Sequence, residues 1–234
     1  MARHTPMALA AAAPARVRRG YFECRYGQLH VHHAMAPGGG FEEGTALLCL
    51  HECPGSGRAF AAFAALAGRD RSVYAPDLPG FGESDPPPAS ATLPEYALAL
   101  ADFVDTMRLR RVDVLGVRGG AALALELALA RPEQVGRVVL AAAPRAGSDA
   151  AALRELPEGQ RPLAQAVLPA RERLARLKAR LLVLRPQDEA PEVTARLREA
   201  LPAARPQELA VSARDIPGEA APRLFEAVRE FLRG

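Results

Sequence analysis

The segment with the clearest chemical potential is a five-residue turn from Gly116 to Gly120, which reads Gly-Val-Arg-Gly-Gly. It lies between the apolar run Val112 to Val117 and an alanine- and leucine-rich helix from Ala121 to Ala130. Strand, sharp glycine turn and helix form the setting of the G-x-S-x-G nucleophile elbow, whose central side chain is held on a strained backbone. The central residue here is Arg118, and a guanidinium has no hydroxyl or thiol for attack. The turn predicts the geometry of a nucleophile without the nucleophile.

A second set of reactive side chains follows the apolar run Ala46 to Leu50, as His51, Glu52 and Cys53. His51 and Glu52 are residue types that exchange protons, so they form either an acid–base pair or a structural hydrogen-bonding group. Cys53 is either pocket lining or a nucleophile whose thiolate Arg118 would stabilise. The residues alone leave both pairs of alternatives open.

Two histidines are candidate metal ligands, because His30 and His32 lie on one face of a strand. No third ligand is close in sequence, whereas zinc takes three or four. We therefore predict no metal site and no cofactor.

Alternation of strand and helix patterns predicts a mostly parallel, doubly wound α/β sheet, in which an N-terminal antiparallel hairpin precedes the parallel strands. Apolar runs predict strands at Tyr21 to Arg25, Gln28 to Ala34, Ala46 to Leu50, Ser72 to Leu78, Val112 to Val117, Val135 to Ala142, Ala179 to Arg185 and Gln207 to Ser212. Helical periodicity and capping signals predict helices at Arg58 to Leu66, Thr92 to Met107, Ala121 to Ala130, Ala150 to Leu156, Pro162 to Lys178, Pro191 to Leu201 and Gly218 to Leu232.

Length and composition are those of one globular domain. The chain has 234 residues, of which 49% are hydrophobic and 24% are charged, and no apolar run is long enough to span a membrane. Thirty basic residues are scattered among 27 acidic ones, which argues against a nucleic-acid surface. Three cysteines without C-x-x-C spacing indicate a reducing compartment, so we predict a cytoplasmic protein.

The N-terminus has two interpretations. The stretch from Met7 to Ala15 has a faint signal-peptide outline, which would mean secretion, but its apolar part is short. We predict a disordered leader over residues 1–18 and a single domain over residues 19–234, in which residues 147–177 form a small helical cap. A flexible turn is expected at Gly38 to Gly40.

From Arg19 to Gly234 the chain resembles the α/β-hydrolase fold superfamily. The resemblance rests on the strand ending in His51 with Pro54 and Gly55, on the stretch Asp77 to Ser84, and on the turn from Gly116 to Gly120. The resemblance implies a nucleophile on the turn, an acid after the penultimate strand, a histidine base on the last loop, and two backbone N–H groups that hold an oxyanion.

Carried over by position, the nucleophile corresponds to Arg118, the acid to Asp188 and the base to Asp215. Two of the three positions thus hold residues unsuited to their roles. The backbone groups of Cys53 and Gly119 correspond to the oxyanion donors. The family also usually has glycine after the histidine, where this chain has Glu52.

Arg118 has two interpretations. It is either a relic held in ion pairs by Asp188 and Asp215, or an anchor for a carboxylate or phosphate, because an unpaired buried charge is too costly. The cap of about thirty residues, at Gly147 to Leu177, is shorter than the resemblance implies. We therefore expect an open site, or one covered by a second copy or a protein partner.

These observations predict a hydrolase-fold protein that lacks the serine nucleophile and histidine base and keeps a pocket for a small anionic molecule, such as a carboxylate. His51, Glu52, Cys53 and Gly119 would line that pocket. One alternative is an active hydrolase or lyase of non-standard mechanism, which uses Arg118 with Glu52, His51 or Asp215. Another alternative is a scaffold or protein-interaction subunit.

Overall fold

The computed structural model describes residues 13–36, 45–144 and 154–233. Its strands are β1 (Val17–Cys24), β2 (Gly27–Ala34), β3 (Ala46–Leu50), β4 (Val73–Pro76), β5 (Val112–Val117), β6 (Val135–Ala141), β7 (Arg180–Pro186) and β8 (Arg205–Leu209). The α-helices in the described ranges are α1 (Ala61–Ala67), α2 (Leu93–Thr106), α3 (Gly119–Ala130), α4 (Arg161–Ala164), α5 (Arg171–Leu174), α6 (Pro191–Ala200) and α7 (Ala221–Arg233). Short 3₁₀ turns cover Gly57–Phe60, Glu158–Gln160 and Ala213–Asp215.

The eight strands form one sheet in the order β1-β2-β4-β3-β5-β6-β7-β8. β1 pairs with β2 and β2 with β4 in antiparallel fashion, and every other neighbouring pair is parallel. Side chains on the two faces belong to two separate hydrophobic clusters, which helices cover on either side. The predicted doubly wound sheet with an N-terminal hairpin is confirmed.

The central strands bring the candidate residues together. β3 ends immediately before His51, β5 before Arg118 and β7 shortly before Asp188. Because these strands are parallel, their carboxyl ends lie at one edge of the sheet, which is where open α/β sheets bind ligands.

The sequence of α3 is apolar on almost all sides, which suits its buried position against the sheet. The one acidic side chain buried in it, Glu126, accepts hydrogen bonds from both terminal nitrogens of Arg173, at 2.7 and 2.6 Å. Arg173 belongs to α5, so this ion pair attaches the cap to the central helix.

α2 begins as its capping signal predicts. The Thr92 backbone N–H donates to a Glu95 carboxylate oxygen at 2.7 Å, which satisfies an amide that has no partner within the helix. Tyr96, Leu100 and Phe103 are fully buried along the predicted stripe.

The predicted boundary of the leader is wrong. Val17 and Arg18 belong to β1, and the Ala15 N–H donates to the Ala65 carbonyl of α1 at 2.8 Å. Residues 1–12 of the proposed leader lie outside the described residues, as do the predicted turn at Gly38 to Gly40 and the first part of the cap, residues 147–153.

The predicted helix from Pro162 to Lys178 is also wrong, because the structure divides it into α4 and α5. Pro169 lies between them. Proline has no N–H to donate and disfavours helical backbone at the residue before it, here Leu168. Coverage of this region by a second copy or another protein stays a prediction. Within the described ranges, none of the helices has the length and hydropathy that crossing a bilayer requires.

Candidate functional site

The turn after β5 has the strained geometry that its glycines predict. Arg118 has φ of 50° and ψ of −111°, a combination that side-chain-bearing residues rarely adopt. A Cβ atom at Gly116 would overlap the Gly120 backbone, and one at Gly120 would overlap the Leu50 carbonyl. The close approach of strand and helix therefore requires both glycines, and it projects Arg118 above the edge of the sheet.

The guanidinium of Arg118 forms an ion pair with Glu52. Its Nε atom lies 2.7 Å from Glu52 Oε2, and 11% of the Arg118 side chain and 34% of the Glu52 side chain are exposed. The interpretation in which Asp188 and Asp215 together hold Arg118 is therefore corrected: Glu52, after β3, supplies the contacting carboxylate.

Asp188 is held by the loop that follows β8. Ser212 Oγ donates to Asp188 Oδ2 at 2.6 Å, and the Ala213 N–H donates to Oδ1 at 2.8 Å. These two hydrogen bonds lower the pKa of Asp188, and the positive charge of Arg118 adds to them. Asp188 lines the same cavity as Arg118. In the part of the loop that the structure describes, a hydroxyl and an amide thus bind this carboxylate.

Asp215 lies apart from this arrangement. It closes the 3₁₀ turn Ala213–Asp215 and lines a different cavity, together with Gln187 and Arg223. The nearest cation in an ion pair with it is its neighbour Arg214, at 3.7 Å. The structure therefore does not bring Asp215 to the cavity that Arg118 lines.

His51 has both ring nitrogens occupied. Nδ1 lies 2.7 Å from the Glu52 carbonyl and donates to it, while Nε2 accepts the Leu78 N–H at 2.9 Å. Complete burial lowers the pKa of His51 to about 4, so the ring is neutral at neutral pH. This arrangement supports the structural alternative for His51, because neither nitrogen is available for a substrate proton.

Cys53 is half-buried and has a weakly acidic thiol. Burial and, secondarily, the charge of Glu52 raise the pKa of the Cys53 thiol to about 11. The thiolate is the nucleophilic form of cysteine, so this shift opposes the nucleophilic role considered for Cys53. Arg118 does not offset it, since its charge is already engaged by Glu52.

Gly119, predicted to supply an oxyanion donor, lies at the start of a helix. Gly119 is the first residue of α3, and the first amides of a helix have no partner within it. A side chain at this position would approach the Leu163 carbonyl in α4. The glycine thus lets the cap lie directly over the helix N-terminus.

A cavity of about 600 Å³ opens beside Arg118. This volume falls within the roughly 300–1,000 Å³ range of small-molecule pockets. Most of its wall is apolar. It is lined by Arg118, Ala143, Pro144, Val167, Leu168, Asp188, Glu189, Ala190, Val193, Arg196, Leu197 and Ala213. Of the predicted site residues, Arg118 and Asp188 line this cavity.

Two charged residues of the wall, Glu189 and Arg196, were missed by sequence reasoning. Glu189 Oε1 accepts the Ala143 N–H at 2.8 Å, and burial raises the pKa of Glu189. Arg196 is exposed on α6. Glu189 could have been identified from the sequence, because it directly follows Asp188, the predicted acid. Arg196 had none, since only the packing of α6 brings it to the cavity.

The structure corrects one premise about the histidines of β2. Asp77 joins His30 and His32, so that one ligand atom from each residue lies within 4.8 Å of the others. A third potential ligand therefore exists. Asp77 already has hydrogen-bonding partners, however: Oδ1 accepts the Gly57 N–H at 2.7 Å, and Oδ2 accepts the Glu83 N–H at 2.9 Å and lies 3.0 Å from His30 Nδ1. These contacts join two loops to the sheet.

Comparison with known proteins agrees with this architecture. Residues 45–176, more than half of the chain, match the family model described as the alpha/beta hydrolase fold. Carboxylesterase CesB from Bacillus subtilis superposes with a TM-score of 0.75 at 17% identity, covering 94% of this chain and 92% of that one. A hydrolase from Pseudomonas aeruginosa superposes with a TM-score of 0.75 at 20% identity, covering 92% of this chain and 98% of that one.

Curated relatives match over shorter regions. An uncharacterized protein of Mycobacterium tuberculosis is 29% identical over 170 residues, which is 65% of this chain and 50% of that protein. A 2-hydroxy-6-oxo-2,4-heptadienoate hydrolase of Pseudomonas putida is 38% identical over 73 residues, or 31% of this chain and 26% of that enzyme. The chain thus spans half or less of the length of these relatives.

Proposed function

Because the chain belongs to the α/β-hydrolase fold family, we propose that it is a member without conventional serine-hydrolase chemistry, which binds a small, mainly apolar molecule beside Arg118. The observation that carries the proposal is the Arg118–Glu52 ion pair at the position of the nucleophile. A charge bound in this way neither attacks a carbonyl nor activates a neighbouring group to do so.

The remaining polar groups support the same conclusion. Nucleophilic catalysis requires a nucleophile and a base in hydrogen-bonding contact. Asp188 accepts its bonds from Ser212 and Ala213, His51 is occupied through both nitrogens, and the Cys53 thiol is weakly acidic. Among the described residues of this site, no pair meets the requirement.

The cavity supports a binding role. Its wall is mainly aliphatic, and it contains Val167, a large hydrophobic residue that is 54% exposed. Covering apolar surface stabilises a complex by about 25 cal/mol per Å² before the costs of association. A ligand that covers Val167 removes apolar surface that the chain alone leaves in water.

Three measurements test the proposal. We expect no hydrolysis of p-nitrophenyl butyrate above a heat-denatured control and no labelling by a fluorophosphonate probe. We also expect eight-carbon probes such as 1-octanol to raise the thermal midpoint of unfolding. Substituting Leu197, at the cavity wall, by Asp should remove the thermal shift, whereas Thr194→Val, on the same helix but outside this cavity, should keep it.

Two outcomes would contradict the proposal. Fluorophosphonate labelling of any serine would contradict the absence of serine-hydrolase chemistry. Failure of every eight-carbon probe to bind the wild-type protein would contradict the binding role.

A further inference from the structure

We propose that the ligand is an amphipathic carboxylate, and that Arg196 on α6, rather than Arg118 on the turn, is the cation that binds its carboxylate group. The inference rests on the proposed function, since it names the chemical class and the specificity residue of that cavity. Three features of the cavity wall carry it: the charge state of Arg118, the surroundings of Arg196 and the exposed side chain of Val167.

The charge of Arg118 is already balanced. Glu52 lies 2.7 Å from its Nε atom, and Asp188 lines the same cavity and interacts favourably with it. A ligand carboxylate that approached Arg118 would meet these two carboxylates as well as the guanidinium. Like charges at short range are repulsive, so Arg118 is a poor anchor for a further anion.

Arg196 is in the opposite situation. It lines the same cavity from α6, its residue is exposed, and it makes no hydrogen bond or ion pair with any described residue. A planar guanidinium that has no protein partner binds a carboxylate through two parallel hydrogen bonds. Among the described residues of the wall, Arg196 is therefore the cation that remains available to a ligand.

The two acidic residues of the wall do not cancel this preference. Both oxygens of Asp188 accept hydrogen bonds, from Ser212 and Ala213. Glu189 accepts the Ala143 N–H, and burial raises its pKa, which favours its neutral form. Asp188 keeps its charge, which Arg118 partly offsets. An anion at Arg196 thus faces this partly offset carboxylate and one whose charge burial disfavours.

The apolar part of the ligand has a defined place. Val193 and Leu197 lie on the same helix as Arg196, three residues before it and one after it, and both line the cavity. Val167 and Leu168, between α4 and α5, also line the cavity and add to its apolar wall. An alkyl chain between these walls would cover Val167, while a carboxylate at its end would reach Arg196 at the rim.

The experiment compares three probes with one alkyl chain: octanoate, 1-octanol and octylamine. Dissociation constants are measured by isothermal titration calorimetry at pH 7.5 for the wild type, Arg196→Gln, Arg118→Gln and the matched control Arg198→Gln. Arg198 lies on the same helix, two residues further on, and lines a different cavity.

We expect the wild type to bind octanoate roughly tenfold more tightly than 1-octanol, as a charge-assisted hydrogen bond provides. Arg196→Gln should reduce this ratio to about one with 1-octanol affinity unchanged, and Arg198→Gln should retain it. The preference should weaken when salt is raised, because the pair lies at the rim.

Other outcomes overturn the inference in distinguishable ways. Loss of the octanoate preference in Arg118→Gln but not in Arg196→Gln would make Arg118 the anchor, and the proposed binding function would stand. Tighter binding of octylamine would make the acidic residues the specificity determinants. Equal affinity for all three probes would show a purely apolar pocket, and no binding of any probe would overturn the proposed function as well.

Discussion

Glu52 Oε2 lies 2.7 Å from Arg118 Nε and thus joins the loop after β3 to the turn after β5. The resemblance stated from the sequence predicts glycine at the position of Glu52, after the third strand, and a nucleophile at the position of Arg118. Without Glu52, Arg118 would be a largely buried charge without this partner, since 11% of its side chain is exposed. Together they form an ion pair, which indicates that the two residues act as one unit.

The first prediction concerns the coupling of this pair. Arg118→Gln and Glu52→Gln should each lower the free energy of unfolding by about 1–3 kcal/mol, because each leaves a partly buried charge without this partner. In the double variant the loss should be smaller than the sum by about 1–2 kcal/mol, since neither charge remains. Urea denaturation of the wild type, the two single variants and the double variant measures this double-mutant cycle. Strictly additive losses would contradict a functional unit.

The second prediction concerns pH and His51. Burial depresses the pKa of His51 from 6.5 to about 4, so the unfolded chain binds a proton at a pH where the native state does not. Stability should therefore fall as pH drops from about 6.5 towards 4, and at pH 5 this residue should account for about 2 kcal/mol relative to neutral pH.

The measurement is urea denaturation at pH 7.5 and pH 5 for the wild type and His51→Asn. Burial also lowers the pKa values of His32 and His33, so both variants should lose stability in acid. The loss in the free energy of unfolding should be smaller in His51→Asn, by the roughly 2 kcal/mol that the titration of His51 contributes in the wild type. Identical losses in the two proteins would contradict a neutral, buried His51.

The elements were largely predictable because their signals are local. The capping box of Thr92 and Glu95 marks the start of α2, and the glycines at Gly116 and Gly120 mark the turn before α3. The break in the cap at Pro169 also has a local signal, which is the proline itself. The prediction of one continuous helix from Pro162 to Lys178 did not take this proline into account. Where the backbone conformation depends on residues close together in the chain, the sequence is sufficient to predict where an element begins or ends.

The partners within the site were less predictable. Glu52 and Asp188 both follow parallel strands, so the sequence places both near Arg118 without indicating which one contacts it. Arg196 and Val167 have no motif, because an exposed arginine on a helix and a valine in a connection are common in any protein. Only the packing of α6 and the cap over the sheet edge makes them neighbours.

The third prediction concerns the reactivity of Cys53. A shift of the pKa from 9.0 to about 11 reduces the thiolate fraction at pH 7.5 about a hundredfold relative to an unshifted thiol. Iodoacetamide should therefore modify Cys53 slowly, with a rate that still rises above pH 10. Glu52→Gln should accelerate the reaction, because the charge of Glu52 contributes to the shift.

Mass spectrometry of the alkylated peptides separates Cys53 from Cys24 and Cys49. Cys49 is fully buried, so it should react only on unfolding. Rapid modification of Cys53 at neutral pH, with an inflection below pH 8, would restore the nucleophilic interpretation.

The last prediction concerns Asp188, the carboxylate that the loop after β8 binds. Its pKa is lowered first by the hydrogen bond from Ser212 Oγ and next by the one from the Ala213 N–H. A depressed native pKa means that the carboxylate contributes stability above the pKa of the unfolded chain and loses it as pH falls through the native value. Ser212→Ala removes the larger cause and should raise the pKa of Asp188, whereas Ser212→Thr keeps the hydroxyl and should leave the pKa low.

Carboxyl ¹³C NMR titration measures the pKa of Asp188 directly. Asp102, whose pKa is lowered by Arg25, provides an internal control, because its pKa should be the same in all three proteins. If Asp188 titrates identically in all three proteins, the hydrogen bond from Ser212 does not lower its pKa, and the proposed binding of this carboxylate by the loop after β8 is wrong.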